Sequence, residues 1–252
     1  MIVARKYGWK PDRPDARDLL YAAPRGIKRK LPPIVDLRSD CPGILDQGEL
    51  GSCTACAVGN AYEFVRLAQG QSPFDVSVLY VYYNTRVIEG TVDYDSGAEL
   101  RNAIKAVARS GAASDRTWPY EVRKFTAEPS QAAYNEGSDH QALKYRRISP
   151  SLKNLKSRLA DGFPFVFGFT VYESFESRAV EKSGVMPMPK RNERALGGHA
   201  VLAVGYQERR KRFTVMNSWS EDWGDGGYFY MPFEFITNPN YADDFWSIDL
   251  VE

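Results

Sequence analysis

A cysteine at the point where a glycine-containing loop turns into a helix is the feature that most constrains this chain. Residues 47–57 read QGELGSCTACA, and after Cys53 small and apolar side chains recur at intervals of three and four. That spacing predicts a helix with Cys53 in its first turn. The first amides of a helix lack internal partners and the helix dipole is positive there, so a thiolate is favoured over a thiol. The sequence therefore predicts a nucleophilic cysteine.

Two downstream segments supply the partners that a catalytic cysteine needs, because a free cysteine without them is usually just a small buried side chain. His199 lies in GGHAVLAVGY, and the following segment FTVMNSWSEDWGDGGYFY carries Asn217 and Trp219. Together with Gln47 and Cys53, these segments resemble the papain family of cysteine peptidases, which includes the cathepsins. The resemblance runs from about residue 36 to the C-terminus.

The resemblance implies an α+β, papain-like fold of two lobes with the active-site cleft between them. One lobe is mostly helical, and the other is an antiparallel, barrel-like sheet. We expect residues 34–135 to form the helical lobe with the nucleophile and residues 136–252 to form the sheet lobe with the histidine and asparagine. Residues 1–33 lie outside both lobes and are called the strap.

The resemblance also implies peptide-bond hydrolysis by a Cys-His-Asn triad. Cys53 and His199 would form a thiolate–imidazolium pair, and the thiolate would attack the peptide carbonyl. The side chain of Gln47 and the backbone amide of Cys53 would hold the oxyanion. Asn217 would fix the imidazole ring, and Trp219 would shield that hydrogen bond from solvent. No metal or organic cofactor is implied.

The turn DYDSGAEL resembles the glycine-containing wall that pairs with extended substrate in this family. Gly97 is its best match, because only a small residue lets one main chain approach another closely. Ser96 suits the wall but equally suits a helix cap. The residues expected by resemblance to contact substrate are Ser96, Gly97, Leu100, Gly198, Ala200 and Trp219. Asp243 or Asp244 is a further candidate for the pocket of the second residue before the cut.

The overall charge gives no reason to expect a nucleic-acid partner. The 252 residues carry a formal net charge of +1, and the short basic runs lack a cluster of stacking aromatics. No apolar stretch suits a secretory signal or a membrane span. We therefore expect a soluble, cytoplasmic monomer that acts on peptides or proteins, unless a signal has been removed.

Cysteine usage favours a reducing compartment. Cys41, Cys53 and Cys56 leave room for at most one disulfide, whereas secreted papain relatives typically carry several. Leu50 stands where those relatives have a disulfide cysteine, and Thr54 replaces the aromatic residue that usually follows the nucleophile. These departures leave the catalytic positions intact.

The strap is rich in proline and basic residues, which predicts an extended segment. Trp9, Leu19, Leu20 and Tyr21 are poor side chains to leave in water, so we expect the strap to lie against the body instead of forming a disordered tail. Since no long helical pro-segment precedes the catalytic part, we expect the strap to pack near the cleft and to restrict access to it.

Periodicity predicts the other elements. We expect helices at about residues 53–68, 76–86 and 100–107, a strand at 145–148, a helix near 152–160 and a strand through the alternating phenylalanines of 163–169. Residues 172–198 are expected to be a long connection, and His140 is expected at the surface. A hairpin should join His199 to Asn217. The two side chains share a face only if paired residue numbers sum to an even value, so we predict an even register.

Two other functions stay open. The same triad could pass the acyl group to an amine or a thiol instead of water. Alternatively, the chain could be a binding protein that keeps the fold without catalysis, or one that the strap occludes. The complete set of catalytic positions argues against lost chemistry. Among peptidases an endopeptidase fits best, because no charged insertion for gripping a peptide terminus is evident, although residues 187–195 could supply one.

Overall fold

The structure is a computed structural model that describes residues 6–21 and 30–252. Residues 1–5 and 22–29 of the strap, and the expectations that fall on them, lie outside these ranges. The helices are α1 (Cys53–Ala68), α2 (Val78–Glu89), α3 (Leu100–Ser110), α4 (Gln131–Gly137), α5 (Leu152–Ala160), α6 (Arg178–Ser183) and α7 (Phe233–Ile236). The strands are β1 (Trp9–Lys10), β2 (Leu20–Tyr21), β3 (Ile34–Asp36), β4 (Ala98–Glu99), β5 (Ala142–Ile148), β6 (Phe165–Tyr172), β7 (Ala195–Gln207), β8 (Arg212–Met216), β9 (Tyr228–Pro232) and β10 (Ala242–Val251).

Helix α1 is the element on which both lobes are built. Its residues from Cys53 to Arg66 are all buried, and it packs against α2 and α3 as well as against β7 and β10. A helix buried all round needs small or apolar side chains on most of its faces, and the sequence CTACAVGNAYEFVRLA provides them. The predicted helix start is confirmed, and α1 holds Cys53 at a fixed point beside the sheet.

The sheet has eight strands in the order β2-β5-β10-β6-β7-β8-β9, with β3 paired to β7. Its pairs are antiparallel except for β2 with β5. Phe165, Phe167 and Phe169 alternate along β6 and pack on the face opposite α1, whereas Val166 joins the core around α1. The predicted α+β class is confirmed.

The register of the β7–β8 hairpin is even beside the candidate site, as predicted. Leu202 pairs with Met216 and Ala203 pairs with Val215. A bulge follows, and Gly205 pairs with Thr214 in an odd register toward the turn. The prediction therefore holds where it matters for the site and is wrong beyond the bulge.

Four local predictions need correction. Helix α2 begins at Val78 because the side chain of Ser77 accepts a hydrogen bond from the amide of Tyr80 and caps it. Phe163 lies before β6 begins, and residues 172–198 contain helix α6. His140 is half-buried, with its ring centroid 4.4 Å from that of Phe74. Within the described ranges, no helix is long and apolar enough to cross a membrane.

The strap joins the two lobes across the cleft. Strand β1 pairs in parallel with β4 on the helical side, and β2 pairs in parallel with β5 at the sheet. Tyr21 is buried in the core on the phenylalanine face of the sheet. The expectation that the strap lies against the body is confirmed for Trp9 and Tyr21, which pack on it, but is wrong for Leu19 and Leu20, which are 69% and 66% exposed.

Candidate active site

Cys53 occupies the first position of α1 and is fully buried. Burial raises the pKa of its thiol to about 11, although hydrogen bonds from the backbone amides of Ala200 and Gly8 lower this pKa. Burial thus disfavours the thiolate in this arrangement of the chain, and the thiolate–imidazolium pair of Cys53 and His199 stays a prediction. Desolvation disfavours the charged form more strongly than the helix N-terminus favours it, whereas the amide of Gly8, a residue of the strap, donates to the thiol and acts in the other direction.

The imidazole of His199 is fixed by a neutral hydrogen bond and by aromatic packing. Its Nε2 lies 2.8 Å from Oδ1 of Asn217. The same Oδ1 accepts the backbone amide of Ser218 at 2.9 Å, so it acts as an acceptor and Nε2 carries a hydrogen. A neutral ring then has its basic lone pair on Nδ1. Trp219 stacks on the ring with centroids 4.9 Å apart and planes 28° apart.

The side-chain amide of Gln47 is buried and held in one orientation. Its Oε1 accepts the hydroxyl of Ser218 at 2.8 Å. Its Nε2 donates to the carbonyls of Leu50 at 3.0 Å and Lys6 at 3.1 Å. The amide N–H group thus points at a carbonyl oxygen of the strap. A fixed neutral donor of this kind suits a site where negative charge develops on an oxygen.

Ser218 is the site residue that sequence reasoning missed. Its backbone amide donates to Oδ1 of Asn217, and its hydroxyl donates to Oε1 of Gln47. Ser218 therefore links Asn217, which orients the imidazole of His199, to Gln47, which donates to a carbonyl oxygen of the strap. The available signal was its position between Asn217 and Trp219, in a segment already singled out.

The strap runs through the cleft and fills the space around the thiol. The amide of Ala98 donates to the carbonyl of Gly8 at 2.7 Å. A Cβ added to Gly8 would lie 1.9 Å from the carbonyl oxygen of Gly51, and one added to Gly97 would lie 2.2 Å from that of Gly8. Only glycine permits backbones this close. The ring centroid of Tyr7 lies 6.5 Å from that of His199.

Charged contacts fasten the strap on both sides of Cys53. Lys6 pairs with Asp95 at 2.6 Å, and Lys10 pairs with Glu89 at 2.6 Å. Further along, Asp12 is fully buried beside Arg147, at 3.3 Å.

The buried carboxylate of Asp12 is the centre of a second group of contacts. It accepts the backbone amide of Arg101 at 3.0 Å and Nε1 of Trp246 at 2.9 Å. Arg101 in turn binds both carboxylate oxygens of Asp18, at 2.9 and 2.7 Å. The strap is thus held by ion pairs over most of its described length.

The predicted substrate-contacting positions divide into two groups. Gly97, Gly198 and Trp219 lie at the path of the strap, and the amide of Ala200 donates to the thiol of Cys53. The hydroxyl of Ser96 instead turns back to Thr91 and to the carbonyl of Gly97, and Leu100 is buried in the core around α1. Asp244, fully buried, accepts Nε1 of Trp9 at 3.1 Å, whereas the side chain of Asp243 is half-exposed.

The fold and the site define a cysteine peptidase of the papain type. A model of the papain family of cysteine proteases matches residues 31–238. The chain belongs to the papain family of cysteine peptidases, as the sequence predicted.

Similar proteins support the assignment over nearly the whole chain. An uncharacterised peptidase C1-like protein of Acanthamoeba polyphaga mimivirus is 39% identical, over 99% of this chain and 88% of that protein. Xylellain, a cysteine protease from Xylella fastidiosa, has a crystal structure that matches with a TM-score of 0.90 and 40% identity, over 98% of this chain and 96% of that one. ProCathepsin B S9 from Trypanosoma congolense, 18% identical, shares the fold with a TM-score of 0.77, over 98% of this chain and 86% of that one.

Proposed function

We propose that the protein is a cysteine endopeptidase whose strap keeps it latent by lying in the substrate cleft. The observation that carries the proposal is that the strap passes directly over the candidate catalytic groups. Gln47 donates to the carbonyl of Lys6, and Cys53 faces the amide of Gly8. Tyr7, which lies between Lys6 and Gly8 in the strap, is beside His199. An extended peptide therefore fits this cleft.

The catalytic cycle that we propose uses four residues, Gln47, Cys53, His199 and Asn217. The thiol of Cys53 gives its proton to Nδ1 of His199, and the thiolate adds to the carbonyl carbon of the substrate. Gln47 Nε2 and the Cys53 amide stabilise the resulting oxyanion. His199 then protonates the leaving amine, and water, deprotonated by His199, releases the acid from the thioester. Asn217 keeps the ring in the tautomer that this cycle needs.

The path of the strap supports internal cleavage. Residues 6–7 lie on one side of the thiol and Trp9–Lys10 on the other. A cleft that holds an extended chain on both sides of the nucleophile accommodates the interior of a polypeptide, as an endopeptidase requires.

The strap is positioned as a blocker and not as a substrate. Cleavage requires that one carbonyl be held by the oxyanion donors while its carbon faces the thiolate. Here Gln47 holds the carbonyl of Lys6, but the thiol faces the amide N–H of Gly8. The two requirements fall on different residues, so we expect the strap to stay intact in the closed chain.

The test is covalent labelling by an irreversible epoxide inhibitor, read as intact mass, together with hydrolysis of a fluorogenic peptide. We compare the full-length chain, Trp9→Ala and Cys53→Ala. Removing the partly buried indole of Trp9 loosens the strap, so Trp9→Ala is expected to label and to cleave at least about tenfold faster than the parent, since truncating a large packed side chain costs more than about 1 kcal/mol. Cys53→Ala is expected to do neither.

Different outcomes separate the alternatives. Failure of both the parent and Trp9→Ala to label would contradict the peptidase assignment and favour a non-catalytic binding protein. Equal labelling of the two chains would contradict latency. Acyl transfer is distinguished by adding an amine such as glycinamide: a peptidase releases mainly the free acid, whereas a transferase releases mainly the amide.

A further inference from the structure

The turn of residues 92–97, which we call the wall turn, is held from below by two side chains of α2. Arg86 is fully buried, and its Nη1 donates to two carbonyl oxygens of this turn at 2.9 and 3.2 Å. Tyr82, one turn earlier on the helix, is also fully buried, and its hydroxyl accepts the backbone amide of Gly97 at 3.0 Å. The guanidinium carbon of Arg86 lies 4.2 Å from the centroid of the Tyr82 ring. The wall turn is therefore fastened to α2 through three of its backbone groups.

Asp95 ties the wall turn to the loop that precedes the nucleophile. Its two carboxylate oxygens lie 3.2 and 3.1 Å from the backbone amide of Gly51, two residues before Cys53. The same carboxylate accepts the hydroxyl of Tyr82. A continuous chain of hydrogen bonds therefore joins the amide of Gly51 to the amide of Gly97. We call the two side chains in the middle of this chain the Asp95–Tyr82 link.

The surroundings fix the charge state of the link. Burial raises the pKa of Tyr82, and the hydrogen bond to Asp95 raises it further, so the phenol keeps the proton that it donates. Burial also raises the pKa of the carboxyl group, but hydrogen bonds from Lys6, Tyr82 and Gly51 lower it below the ordinary value. Hydrogen bonds to an ionised carboxylate are about twice as strong as those between neutral groups. The link is therefore a strong connection between two loops.

The link does not depend on the strap. Lys6 is a strap residue that pairs with Asp95, at 2.6 Å. The amide of Gly51 and the hydroxyl of Tyr82 both belong to the body. When the strap leaves the cleft, the carboxylate loses Lys6 and keeps these two donors. The same connection is therefore present in the enzyme with an open cleft.

The two segments that the link joins form opposite sides of a narrow slot beside the thiol. The backbone of Gly8 lies in this slot: a Cβ added to Gly8 would lie 1.9 Å from the carbonyl oxygen of Gly51. On the other side, a Cβ added to Gly97 would lie 2.2 Å from the carbonyl oxygen of Gly8. An extended chain in the slot therefore touches Gly51 and Gly97 at once, and the distance between these two residues sets the width of the slot.

We propose that Asp95 and Tyr82 are positioning residues for catalysis, which hold the wall turn in register with the loop that carries the oxyanion donors. The proposal rests on the proposed function. In that cycle the oxyanion donors are Gln47 and the amide of Cys53, on the loop side of the slot, while the wall turn holds the backbone of the substrate. The scissile carbonyl meets the donors only when both sides keep a fixed spacing. A misplacement of about 1 Å costs on the order of a hundredfold in rate.

The test measures peptide hydrolysis by full-length chains that all carry Trp9→Ala, which loosens the strap. The value of kcat is expressed per active site titrated with the epoxide inhibitor, so that misfolded chains are not counted. Asp95→Asn and Tyr82→Phe should each lower kcat about tenfold, because each weakens a charge-assisted hydrogen bond of the link. The two substitutions together should lower kcat little more than the larger single effect, since both act through one chain of hydrogen bonds.

Each substitution has a matched control. Lys6→Ala removes the ion pair of Asp95 from the side of the strap, and it should not lower kcat. Tyr83→Phe removes a hydroxyl from the next residue of α2, one that forms no hydrogen bond with the described residues, and it should leave kcat unchanged.

A second measurement separates positioning from a general loosening of the site. Iodoacetamide reacts with the thiol of Cys53 without using the wall turn or the oxyanion donors. Its rate should therefore agree within about twofold between Asp95→Asn and Lys6→Ala, and between Tyr82→Phe and Tyr83→Phe, whereas kcat differs about tenfold.

The outcomes distinguish this inference from the proposed function. Values of kcat equal to those of the controls would overturn the inference while leaving the peptidase assignment intact. An equal loss of kcat and of iodoacetamide reactivity would do the same, and so would effects of the two substitutions that multiply in the double variant. Absence of both cleavage and labelling in Trp9→Ala itself would overturn the proposed function and this inference together.

Discussion

The two regions that meet at Cys53 are held by different kinds of interaction. The imidazole of His199 and the amide of Gln47 are fixed by neutral hydrogen bonds in a buried, aromatic setting. The strap is fixed by carboxylates and cations, from Lys6 with Asp95 to the buried Asp12. Neutral contacts of this kind respond little to salt and pH, whereas charged ones respond to both. Changes in salt concentration and pH should therefore move the strap and leave the catalytic groups in place.

The largest effect is expected from Asp12→Ala. Removing one partner from a buried charge cluster costs about 3 kcal/mol or more, because Arg101 and Arg147 are left without it. Epoxide labelling of Cys53 should accelerate about a hundredfold. Asp15→Ala is the matched control, since the Asp15 carboxylate pairs with Arg17 of the strap itself, and it should leave the rate unchanged. An Asp12→Ala chain that labels like the parent would show that the cluster does not hold the strap.

A smaller effect, confined to the catalytic region, is expected from Asn217→Ala. Loss of the hydrogen bond to His199 Nε2 should lower kcat about tenfold with little change in KM, because it acts on the ring and not on the substrate. The acceleration that Asp12→Ala produces should persist in this background, since changes in separate regions add. If Asp12→Ala accelerated labelling by a different factor in the Asn217→Ala background, the two regions would not be independent.

Acidification is expected to close the strap. Burial, together with the charge of the neighbouring Asp12, raises the pKa of Asp244 to about 6. The backbone amide of Asp12 and the cation of Arg147 lower this pKa but do not offset the increase. Burial also raises the pKa of Asp12, against its hydrogen bonds from Arg101 and Trp246. The form with the strap in the cleft therefore binds more protons than the form with the strap released. Closure is favoured below the pH range in which an ordinary carboxyl group titrates, and this contribution is lost as pH rises through about 6.

The measurement is the labelling rate of the parent divided by that of Asp244→Asn, in which residue 244 stays neutral at every pH while the thiol lies under the same strap as in the parent. The ratio should rise several-fold, up to about tenfold, between about pH 4.5 and about pH 7. Asp95 acts with the opposite sign, because its pKa is lowered by Lys6 and Tyr82 despite burial, but its contribution falls below this range. A ratio that decreases with pH would contradict the assignment.

Salt is expected to have the smallest effect. The ion pairs of Lys6 with Asp95 and Lys10 with Glu89 have half-exposed lysines. Raising salt from about 0.05 M to about 0.5 M should therefore accelerate labelling of the parent by about threefold. The rate for Asp12→Ala, in which the strap is already released, should change less. Equal salt dependence in both chains would mean that salt acts on the catalytic region.

Features set by neighbouring residues were predictable from the sequence. The start of α1 at Cys53 follows from a local periodicity, and the even register beside His199 follows from the alternation of strand side chains. The bulge at Gly205 was not predictable from alternation alone, because an inserted residue leaves no mark in the hydrophobic pattern. Helix α6 is short and polar, so its signal was too weak to separate it from a loop.

Features set by distant residues were not predictable. Asp12 and Asp244 meet across most of the length of the chain, and no spacing rule joins them. Ser218 stood inside a recognised segment, but its hydrogen bond to Gln47 requires the folded cleft. The raised pKa of Cys53 comes from its burial in the folded chain, and the amide of Gly8 in the strap lowers it by a hydrogen bond; a motif on α1 contains neither.

The pH profile of Cys53 alkylation tests the central claim most directly. Iodoacetamide modification is followed by peptide mass spectrometry in the full-length chain and in Asp12→Ala, with the buried Cys56 as an internal reference for unfolding. The strap account predicts slow reaction of Cys53 in the parent until alkaline pH, since its thiol has a pKa of about 11. In Asp12→Ala it predicts fast reaction already at about pH 7, as for an activated thiolate. Superimposable profiles for Cys53 in the two chains would contradict the claim that the strap controls the nucleophile.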